Sequence, residues 1–357
     1  MTYTALLLSS FGGPEGPDEV MPFLERVTAG RGVPRERLEE VSHHYLALGG
    51  VSPINAQNRE LIAALEAELA ARGIDLPIFW GNRNSTPFFD SALRDLHESG
   101  HREVLALATS AYSSYSGCRQ YREDIGMALE STGFTDLVVR KIRPYFDLPG
   151  FTDSFAHGLA AALDRLADMR IDPNSTAIFF TTHSVPMSMS QTSGPIELRG
   201  EGEESLGIYA RQHELAIEQV IATVQASRGG TVPEWALVYQ SRSGPPTMPW
   251  LEPDINDAIR AAAATGVTAV IVVPIGFVSD HVEVIWDLDH EALETATELG
   301  LAFERVSTPG TDPKFVSALV DRIEESLRGA VPEYWKPFCS PDCCPNARAQ
   351  RPVISGT

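Results

Sequence analysis

Long apolar runs are missing from this 357-residue chain, whose longest such run has about the length of one β-strand. A helix that crosses a bilayer needs about 20 consecutive apolar residues, so the sequence predicts no membrane insertion. The opening MTYTALLLSSFGG also lacks the basic segment and the small-residue cleavage site of a signal peptide. We therefore expect a cytoplasmic protein.

Positive charge is scarce. The chain has 28 lysine and arginine residues against 48 aspartate and glutamate residues, which gives a formal net charge of −20. Binding to nucleic-acid phosphates depends on clustered Lys and Arg side chains, so the composition argues against a nucleic-acid partner. It is compatible with a cationic substrate such as a metal ion, whereas a polyanionic organic ligand would need a local basic patch.

Cysteine is also rare, and three of the four residues lie near the C-terminus. In a cytosolic protein such a group more often marks a metal or redox site than disulfide bonds. The spacing lacks the C-x2-C pairs of ribbon-type zinc sites, while four thiolates match the ligand requirement of a 2Fe–2S cluster. The alternative is that the first cysteine is a small core residue and that the C-terminal segment binds zinc or nothing. The four residues are Cys118, Cys339, Cys343 and Cys344.

Short apolar runs alternate with amphipathic stretches along most of the chain. This alternation predicts an α/β fold with parallel sheets built from βαβ units. The strands are expected at residues 5–8, 78–80, 104–108, 137–141, 177–181, 236–239, 269–273 and 302–306. The helices are expected at residues 17–27, 34–45, 56–72, 89–98, 119–131, about 150–169, 205–227, 255–264 and 314–327.

A weak internal repeat divides the chain into two similar halves around a central cleft. Residues 99–116 resemble residues 265–282, and residues 4–14 parallel residues 176–186. The C-terminal segment differs from both halves, because it contains five prolines and no helical period, which predicts an extension held by something other than a core. The predicted division is 1–148 for the first domain, with 310–330 packing back on it, 149–309 for the second domain and 331–357 for the extension.

An acidic stretch follows the expected strand at 269–273, which is apolar throughout and rich in β-branched residues. Open α/β sheets bind their ligands beyond the carboxyl ends of strands, so the stretch lies where a site is expected. On a helix that starts at Asp280, four carboxylates share one face. Each like-charged pair costs roughly a few tenths of a kcal/mol unless a cation such as a divalent metal ion binds there. Alternatively, the first two form a capping box and the others are a solvated face. The four are Asp280, Glu283, Asp287 and Glu291.

His183 closes another expected strand, and the polar triplet 279–281 follows the strand at 269–273. We place these two strand ends at equivalent positions of the two halves, where they face one cleft. A histidine and a carboxylate at such positions are suited to general acid/base chemistry, although a lone histidine after a strand is more often structural.

The loop YQSRSGPPTMPWLEP at 239–253 follows a further strand. Its glycine and prolines could serve turns alone. We favour the alternative that Arg242, Trp250 and the stiff proline-rich backbone form a wall for a flat ligand, because the composition is unusual for a simple turn.

Several separated motifs resemble the ferrochelatases, in the same order along the chain. They are THSVP around His183, YQSRSGPPTMPWLEP, PIGFVSDHVEVIWDLD, LLLSSFGGPEGPDEVMPFL and HYLALGGVSPIN, and the likeness runs from about residue 3 to 328. The resemblance implies two Rossmann-like halves of the chelatase type and a lyase-class enzyme that inserts Fe²⁺ into a porphyrin with release of two protons. It also implies that His183 and Glu283 are catalytic and bind the iron, facing each other across a bent macrocycle. Asp287 and Glu291 would line the path of the metal.

Within the family, the short N-terminal region and the C-terminal cysteines resemble the actinobacterial members. This implies coproporphyrin III as the substrate, coproheme as the product in haem biosynthesis, and a 2Fe–2S cluster on all four cysteines. It further implies a monomer that contacts a downstream coproheme decarboxylase transiently. Phe11 stands where related Gram-positive enzymes carry a tyrosine, so an axial oxygen ligand is absent there. The residues implied to contact the substrate, including three arginines for its carboxylates, are Phe11, Arg31, Ser52, Arg119, Tyr121, Arg242 and Trp250.

Three other interpretations stay open. The chain could instead be a chelatase for protoporphyrin IX or for cobalt, which a comparison of substrates would separate. It could be a non-catalytic carrier of tetrapyrrole or iron, which would keep its binding when His183 or Glu283 is replaced. It could be a redox or iron-sensing module built on the cysteines, which would lose its function when the residues beyond Leu327 are removed.

Overall fold

The computed structural model describes residues 3–199, 205–229, 231–244, 247–329 and 342–355, and it confirms all eight predicted strands. They form two four-stranded parallel sheets. The strands of the first sheet are β1 (Ala5–Ser10), β2 (Ile78–Asn82), β3 (Glu103–Ala108) and β4 (Val138–Lys141). The strands of the second sheet are β5 (Thr176–His183), β6 (Glu234–Gln240), β7 (Ala269–Val273) and β8 (Ala302–Arg305).

Both sheets have the same strand order, β2-β1-β3-β4 in the first and β6-β5-β7-β8 in the second. This order confirms the predicted repeat, because β1 corresponds to β5 and β3 corresponds to β7. In each sheet the chain adds its second strand on one side of the first strand and then crosses to the other side. Such a reversal is a topological switch point, and the ligand crevice of an open α/β sheet lies there, beyond the carboxyl ends of the two central strands.

The predicted helices are confirmed to within about two residues at each end. The helices of the first half are α1 (Pro17–Val27), α2 (Arg35–Ala47), α3 (Ile54–Ala71), α4 (Phe89–Glu98) and α5 (Gln120–Thr132). The later helices are α6 (Pro149–Asp168), α7 (Met187–Gln191), α8 (Gly207–Arg228), α9 (Ile255–Ala264), α10 (Val282–Ile285), α11 (Leu293–Glu298) and α12 (Pro313–Arg328). Single 3₁₀ turns occur at Pro173–Ser175 and Ile196–Leu198. None of the helices that the structure describes is long and apolar enough to cross a membrane.

Two segments wind as π-helix, Tyr115–Arg119 before α5 and Trp286–Ala292 between α10 and α11. Turns of π-helix are rare and are frequently found at functional sites. The predicted helix start at Asp280 is wrong, because α10 begins at Val282, with the extended residue His281 as its N-cap. Residue 280 therefore precedes the helix and does not share its acidic face.

The central strands form because helices cover them on both faces. Every residue of β1 and of β7 is buried, and a run without polar alternation is what a doubly covered parallel strand requires. The largest core cluster contains residues from both sheets, among them Leu6, Phe180 and Val273. The halves therefore share one core, and Tyr112 Oη of the first half donates a hydrogen bond of 2.9 Å to Ile275 O of the second.

The last helix, α12, packs on α6 and on α3 of the first half. Arg72, at the end of α3, forms an ion pair of 2.6 Å with Asp321 and donates a hydrogen bond of 2.9 Å to Ser317 O. α12 therefore contacts α3 of the first half and α6 of the second, and the expectation that residues 310–330 belong with the first half stays a prediction. The domain boundaries at residues 148 and 309 stay predictions.

The C-terminal extension is described from residue 342 to residue 355, and this part is attached to the first half. Ile354 is only 7% exposed and packs into the apolar cluster between the first sheet and α5. The backbone N–H of Lys141 donates to Ser355 O at 3.0 Å, and Arg122 Nε donates to Ile354 O at 2.7 Å. The prediction that the extension is held without a core is therefore wrong at this end.

Candidate active site

The candidate site lies beyond the carboxyl ends of β5 and β7, which are neighbours in the second sheet. His183 is the last residue of β5, and Glu283 lies on α10, after the loop that follows β7. The His183 Nε2 and Glu283 Oε2 atoms are 4.0 Å apart. The assignment of the two strand ends to different halves is wrong, since the switch point of a single sheet brings both residues together.

A hydrogen bond determines which nitrogen of His183 faces the site. Nδ1 lies 2.5 Å from Ser184 O, and a carbonyl oxygen can only accept, so Nδ1 carries the proton. In the neutral imidazole Nε2 is then the acceptor, and this is the atom nearest Glu283. Tyr209 Oη holds the same strand end, since it donates to His183 O at 2.9 Å. The pair therefore presents two proton acceptors side by side.

A macrocycle does not fit between His183 and Glu283. Non-bonded carbon atoms pack at about 3.5–4.0 Å, so a flat ring between the two side chains would hold them roughly 7 Å apart. At 4.0 Å they lie on the same side of any ring that binds in this conformation. The expectation that they face each other across the macrocycle is therefore wrong for this conformation of the cleft.

Arg305, at the end of β8, removes Asp280 from the predicted acidic face. Arg305 Nη2 lies 2.5 Å from Asp280 Oδ1, and Arg305 Nε lies 3.2 Å from Asp289 Oδ1. The arginine thus neutralises negative charge beside the site. The three carboxylates that remain are Glu283, Asp287 and Glu291, and the charges of the first and the last both act on Asp287.

The pKa of Asp287 lies above its usual value. Burial raises the pKa of Asp287 to about 7, and the negative charges of Glu283 and Glu291 act in the same direction. Ser241 Oγ and Gln240 Nε2 donate hydrogen bonds to Asp287 Oδ2, the second at 3.1 Å, and oppose the shift. Asp287 therefore exchanges its proton near neutral pH, and binding of a metal ion would displace that proton.

An aromatic stack joins the first half to the π-helical segment of the second. The rings of His44, on α2, and Trp286 are 4.1 Å apart with an angle of 8° between their planes, and His290 stacks on the same tryptophan at 5.0 Å. Trp286 Nε1 also donates a hydrogen bond of 2.9 Å to Glu291 Oε1. A helix of the first half therefore contacts the acidic helix of the second directly.

The predicted substrate contacts of the first half lie near its own switch point. Phe11 follows β1 and packs edge-on against Phe23, with ring centroids 6.0 Å apart. The guanidinium of Arg83 lies 5.7 Å from the Phe11 ring and 4.2 Å from the Tyr121 ring. Tyr121 is buried under that guanidinium. No motif or spacing in the sequence distinguishes Arg83 from the other arginines, so Arg83 was not predicted.

The three arginines predicted to bind carboxylates differ in what they already contact. Arg119 is buried, and its Nε lies 2.9 Å from Glu123 Oε1. Arg242 forms an ion pair of 2.9 Å with Glu252 inside its own loop. Arg31 forms no hydrogen bond or ion pair with its side chain among the residues that the structure describes. Arg31 is therefore the one of the three whose positive charge is unmatched.

Two further predicted contacts depend on glycines that allow a close approach. Ser52 is buried against Gly13, where an added Cβ would lie 2.6 Å from Ser52 Cβ. Trp250 lies against Gly244 in the same way, with 2.3 Å between an added Cβ and the indole Cζ2. The indole of Trp250 thus packs against its own loop, while residues 245–246 lie outside the described part of the chain.

Three of the four cysteines lie together. Cys118, Cys343 and Cys344 form one buried cluster, with 3.8 Å between the last two sulfurs, a distance that excludes a disulfide bond between them. Hydrogen bonding with Cys118, reinforced by burial, raises the pKa of the Cys344 thiol. Gly194 N–H donates to Cys344 Sγ at 3.1 Å. Cys339 lies outside the described residues, and within them no group of three or more His, Cys, Asp or Glu side chains is arranged to hold a metal ion.

Taken together, a histidine, a glutamate and a half-buried aspartate meet at the switch point of a parallel sheet. This arrangement defines an α/β protein whose site can exchange protons and bind a cation. Gln240, Ser241 and Arg305 complete the site, and none of the three was predicted from the sequence. The only available signal was that Gln240 and Ser241 directly follow a predicted strand.

The chain belongs to the ferrochelatase family, whose family model matches residues 3–327, and it is therefore a metal-chelatase enzyme. It is 50% identical to the coproporphyrin III ferrochelatase of Leifsonia xyli subsp. xyli, over 100% of this chain and 95% of that protein. The coproporphyrin III ferrochelatase of Streptomyces coelicolor is 49% identical, over 99% of this chain and 96% of that protein. The structure of the sirohydrochlorin chelatase from Bacillus subtilis subspecies spizizenii with cobalt covers 92% of this chain and 96% of its own, with a TM-score of 0.48 and 11% identity.

Proposed function

We propose that this ferrochelatase inserts Fe²⁺ into coproporphyrin III and so makes coproheme in haem biosynthesis. The observation that carries the proposal is the identity of 47–50%, over nearly the full length of both chains, with proteins named coproporphyrin III ferrochelatase. The pair of His183 and Glu283 beside an acidic helix supports the chemistry. The reaction must remove two pyrrole protons and deliver one divalent cation. His183 and Glu283 can accept the protons, and the carboxylates of the acidic helix can bind the cation.

In this proposal His183 and Glu283 each take one pyrrole proton. His183 Nε2 accepts because Nδ1 is committed to Ser184 O at 2.5 Å. The Glu283 carboxylate, 4.0 Å away, accepts the second proton. Their separation requires that both act from one face of the ring. The same imidazole and carboxylate are suitable ligands for Fe²⁺ on that face.

Iron reaches this face along the acidic helix, by way of Glu291 and Asp287. The charges of Glu291 and Glu283 both act on Asp287, which supports a continuous path. Asp287 has a pKa of about 7, so iron displaces a proton from it in a substantial fraction of molecules at neutral pH. The path therefore binds the cation without holding it in a closed site.

The substrate lies between the ends of the two sheets in this proposal. Apolar and hydroxyl groups contact the porphyrin ring, and arginines neutralise the charge of the substrate carboxylates. Arg31 is the best supported of the arginines, because the others already have carboxylate partners. The proposed contacts are Phe11, Arg31, Ser52, Arg119, Tyr121, Arg242 and Trp250.

We further propose that Cys118, Cys339, Cys343 and Cys344 hold a 2Fe–2S cluster. Three of these thiols share one buried cluster, and a peptide N–H lies 3.1 Å from Cys344 Sγ, a contact typical of the surroundings of cluster sulfurs. When bound, the cluster would tie the extension to the first half, because metal–thiolate bonds contribute directly to folding free energy.

The remaining elements of the proposal are a cytoplasmic location, a monomeric state and transient contact with a coproheme decarboxylase. They rest on the resemblance to actinobacterial members of the family.

The decisive experiment is anaerobic turnover of the purified protein with Fe²⁺, with coproporphyrin III and protoporphyrin IX offered in parallel and insertion followed by the Soret shift. We expect preference for coproporphyrin III. Preference for protoporphyrin IX would keep the class of enzyme and overturn the substrate. Tight binding of porphyrin without insertion into either would indicate a carrier.

Two variants test the assigned chemistry. His183→Ala and Glu283→Gln should each lower kcat by roughly 100-fold or more while porphyrin binding persists, because each removes a proton acceptor. Arg94→Ala, an exposed change on α4, is the matched control and should leave turnover unchanged. Unchanged turnover in either site variant would contradict the assignment.

A further inference from the structure

The strand that ends in His183 extends beyond one of its neighbours. β6 pairs with β5 as far as the last register pair, which is His183 with Gln240. On the other side β7 ends at Val273, opposite Phe180. Residues 181–183 of β5 therefore lie beyond the end of β7. Backbone carbonyl groups that leave water need a hydrogen-bond donor, so those that point toward β7 at this end of β5 need donors from elsewhere.

Two different donors take the place of the missing strand. The N–H of Gly276, in the loop after β7, donates to Thr181 O at 3.0 Å. Carbonyl groups two residues apart on a strand point to the same side, so His183 O points in the same direction as Thr181 O. The donor to His183 O is a side chain, Tyr209 Oη, at 2.9 Å. Tyr209 lies in the first turn of α8 and is only 7% exposed.

The hydroxyl group of Tyr209 has a defined orientation. A carbonyl oxygen can only accept, so Tyr209 Oη donates its single proton to His183 O. Thr182 Oγ1, 2.8 Å from Tyr209 Oη, is then the donor of the second hydrogen bond. His213 packs against the phenol ring with centroids 4.5 Å apart, and its Nδ1 donates to Tyr209 O at 2.7 Å. Neighbours on α8 and on β5 therefore hold the tyrosine in place.

The peptide unit that follows His183 is held at both ends. Tyr209 Oη donates to its carbonyl oxygen, and its N–H, which belongs to Ser184, donates to Gln240 O at 2.8 Å. Because a peptide unit is planar, these two bonds fix its orientation. The same orientation determines where the backbone enters Ser184, whose carbonyl oxygen lies 2.5 Å from His183 Nδ1. The direction of the imidazole, and of Nε2 toward Glu283, therefore depends on the peptide unit that Tyr209 holds.

We propose that Tyr209 is a positioning residue, whose hydroxyl group keeps His183 in the orientation and tautomer that leave Nε2 free to accept a proton. The inference rests on the proposed function, since it takes His183 as an acceptor of a pyrrole proton. Without the hydroxyl group the peptide unit can rotate, and the bond between Nδ1 and Ser184 O weakens. The tautomer with its proton on Nε2 then becomes populated, and in that tautomer Nε2 cannot accept. Tyr209 acts on the reaction only through His183.

The first experiment compares Tyr209→Phe with the matched control Tyr145→Phe. Both changes remove the hydroxyl group of a buried tyrosine that donates to the carbonyl of the last residue of a strand, since Tyr145 Oη donates to Ala108 O of β3 at 3.0 Å. Tyr209→Phe should lower kcat for iron insertion roughly tenfold and leave KM and the Kd for coproporphyrin III unchanged, because a proton acceptor is misplaced while the substrate contacts stay intact. Tyr145→Phe should lower the thermal midpoint by a similar amount and keep kcat. Equal falls in kcat in the two variants overturn the inference, and so does an unchanged kcat in Tyr209→Phe.

A second measurement tests whether the effect passes through the imidazole. In the His183→Ala background, Tyr209→Phe should leave the residual kcat unchanged, because no imidazole remains to be positioned. A further tenfold fall in that background would make the contribution of Tyr209 structural and would overturn the inference.

A third measurement does not depend on turnover. Nitrogen-15 NMR spectra of the histidine rings, with the His183 signals assigned from His183→Ala, report which ring nitrogen carries the proton. His183 should carry it on Nδ1 in the wild type and in Tyr145→Phe, whereas Tyr209→Phe should show a mixture of both tautomers. The same tautomer in all three proteins overturns the inference. If the wild-type protein inserts no iron into either porphyrin, the proposed function fails, and the spectra still decide whether Tyr209 holds the imidazole.

Discussion

The buried imidazole of His213 makes the stability of this protein depend on pH. His213 lies on α8, and its ring stacks on Tyr112 with centroids 3.5 Å apart. Nδ1 donates to Tyr209 O at 2.7 Å, while Nε2 is buried without a hydrogen-bond partner in the described part of the chain. Burial lowers the pKa of His213 to about 3, and the bond to Tyr209 opposes the shift only in part.

The sign and the size of the effect follow from this pKa. Below pH 6.5 the unfolded chain binds a proton at His213, whereas the folded protein binds one only near pH 3. The unfolded state therefore binds more protons across that window, and the free energy of unfolding falls as pH decreases through 6.5. Each pH unit corresponds to about 1.4 kcal/mol, so roughly 2 kcal/mol should be lost between pH 7 and pH 5 from this residue.

The assay is urea unfolding of the wild type and of His213→Phe at pH 7 and at pH 5. Phenylalanine keeps a flat ring against Tyr112 and cannot be protonated. The stability difference between the two proteins should shift by about 2 kcal/mol in favour of the variant at pH 5. His157→Phe, at an exposed position of α6, is the control for the same substitution and should produce no such shift. An equal difference between wild type and His213→Phe at both pH values would refute the reasoning.

Three other changes test the acidic path, the thiols and the aromatic stack. Since Asp287 has a pKa of about 7, kcat/KM for iron insertion should rise as pH increases through 7. Asp287→Asn should lose that rise. A pH profile of the variant parallel to that of the wild type would contradict the role of Asp287 in the metal path. Cys343→Ser should remove visible cluster absorbance and lower the thermal midpoint of protein purified without oxygen, and unchanged absorbance and midpoint would contradict the 2Fe–2S proposal. His44→Ala should lower the urea unfolding free energy by about 0.5–1.5 kcal/mol, because it removes the stack on Trp286. His43 is the exposed neighbour of His44, so the control His43→Ala should leave the unfolding free energy unchanged. Equal losses of unfolding free energy in the two variants would contradict the contribution of the stack.

Local patterns in the sequence were sufficient to predict the elements of the fold. The strand at 269–273 is a run of five apolar residues, and β7 has the same bounds, because a strand covered on both faces needs no polar alternation. The repeat of strand, helix and polar loop predicted two similar sheets, and the identical strand orders confirm it. His183 was predicted as a site residue because it ends a buried strand, and Glu283 and Asp287 because their acidic stretch follows the strand at 269–273, at the edge where such sheets bind ligands. Their roles stay predictions.

The sequence by itself determined the strands, the helices, the repeat and the residue types at the strand ends, because these depend on neighbours along the chain. Only the tertiary structure decided which of the charges remain available. Arg305 takes Asp280 out of the acidic face, and His183 and Glu283 lie on one side of the cleft at 4.0 Å. Each of these contacts joins elements that are distant in sequence. Their distances depend on strand order and on the packing of helices over the sheets, which no local period encodes.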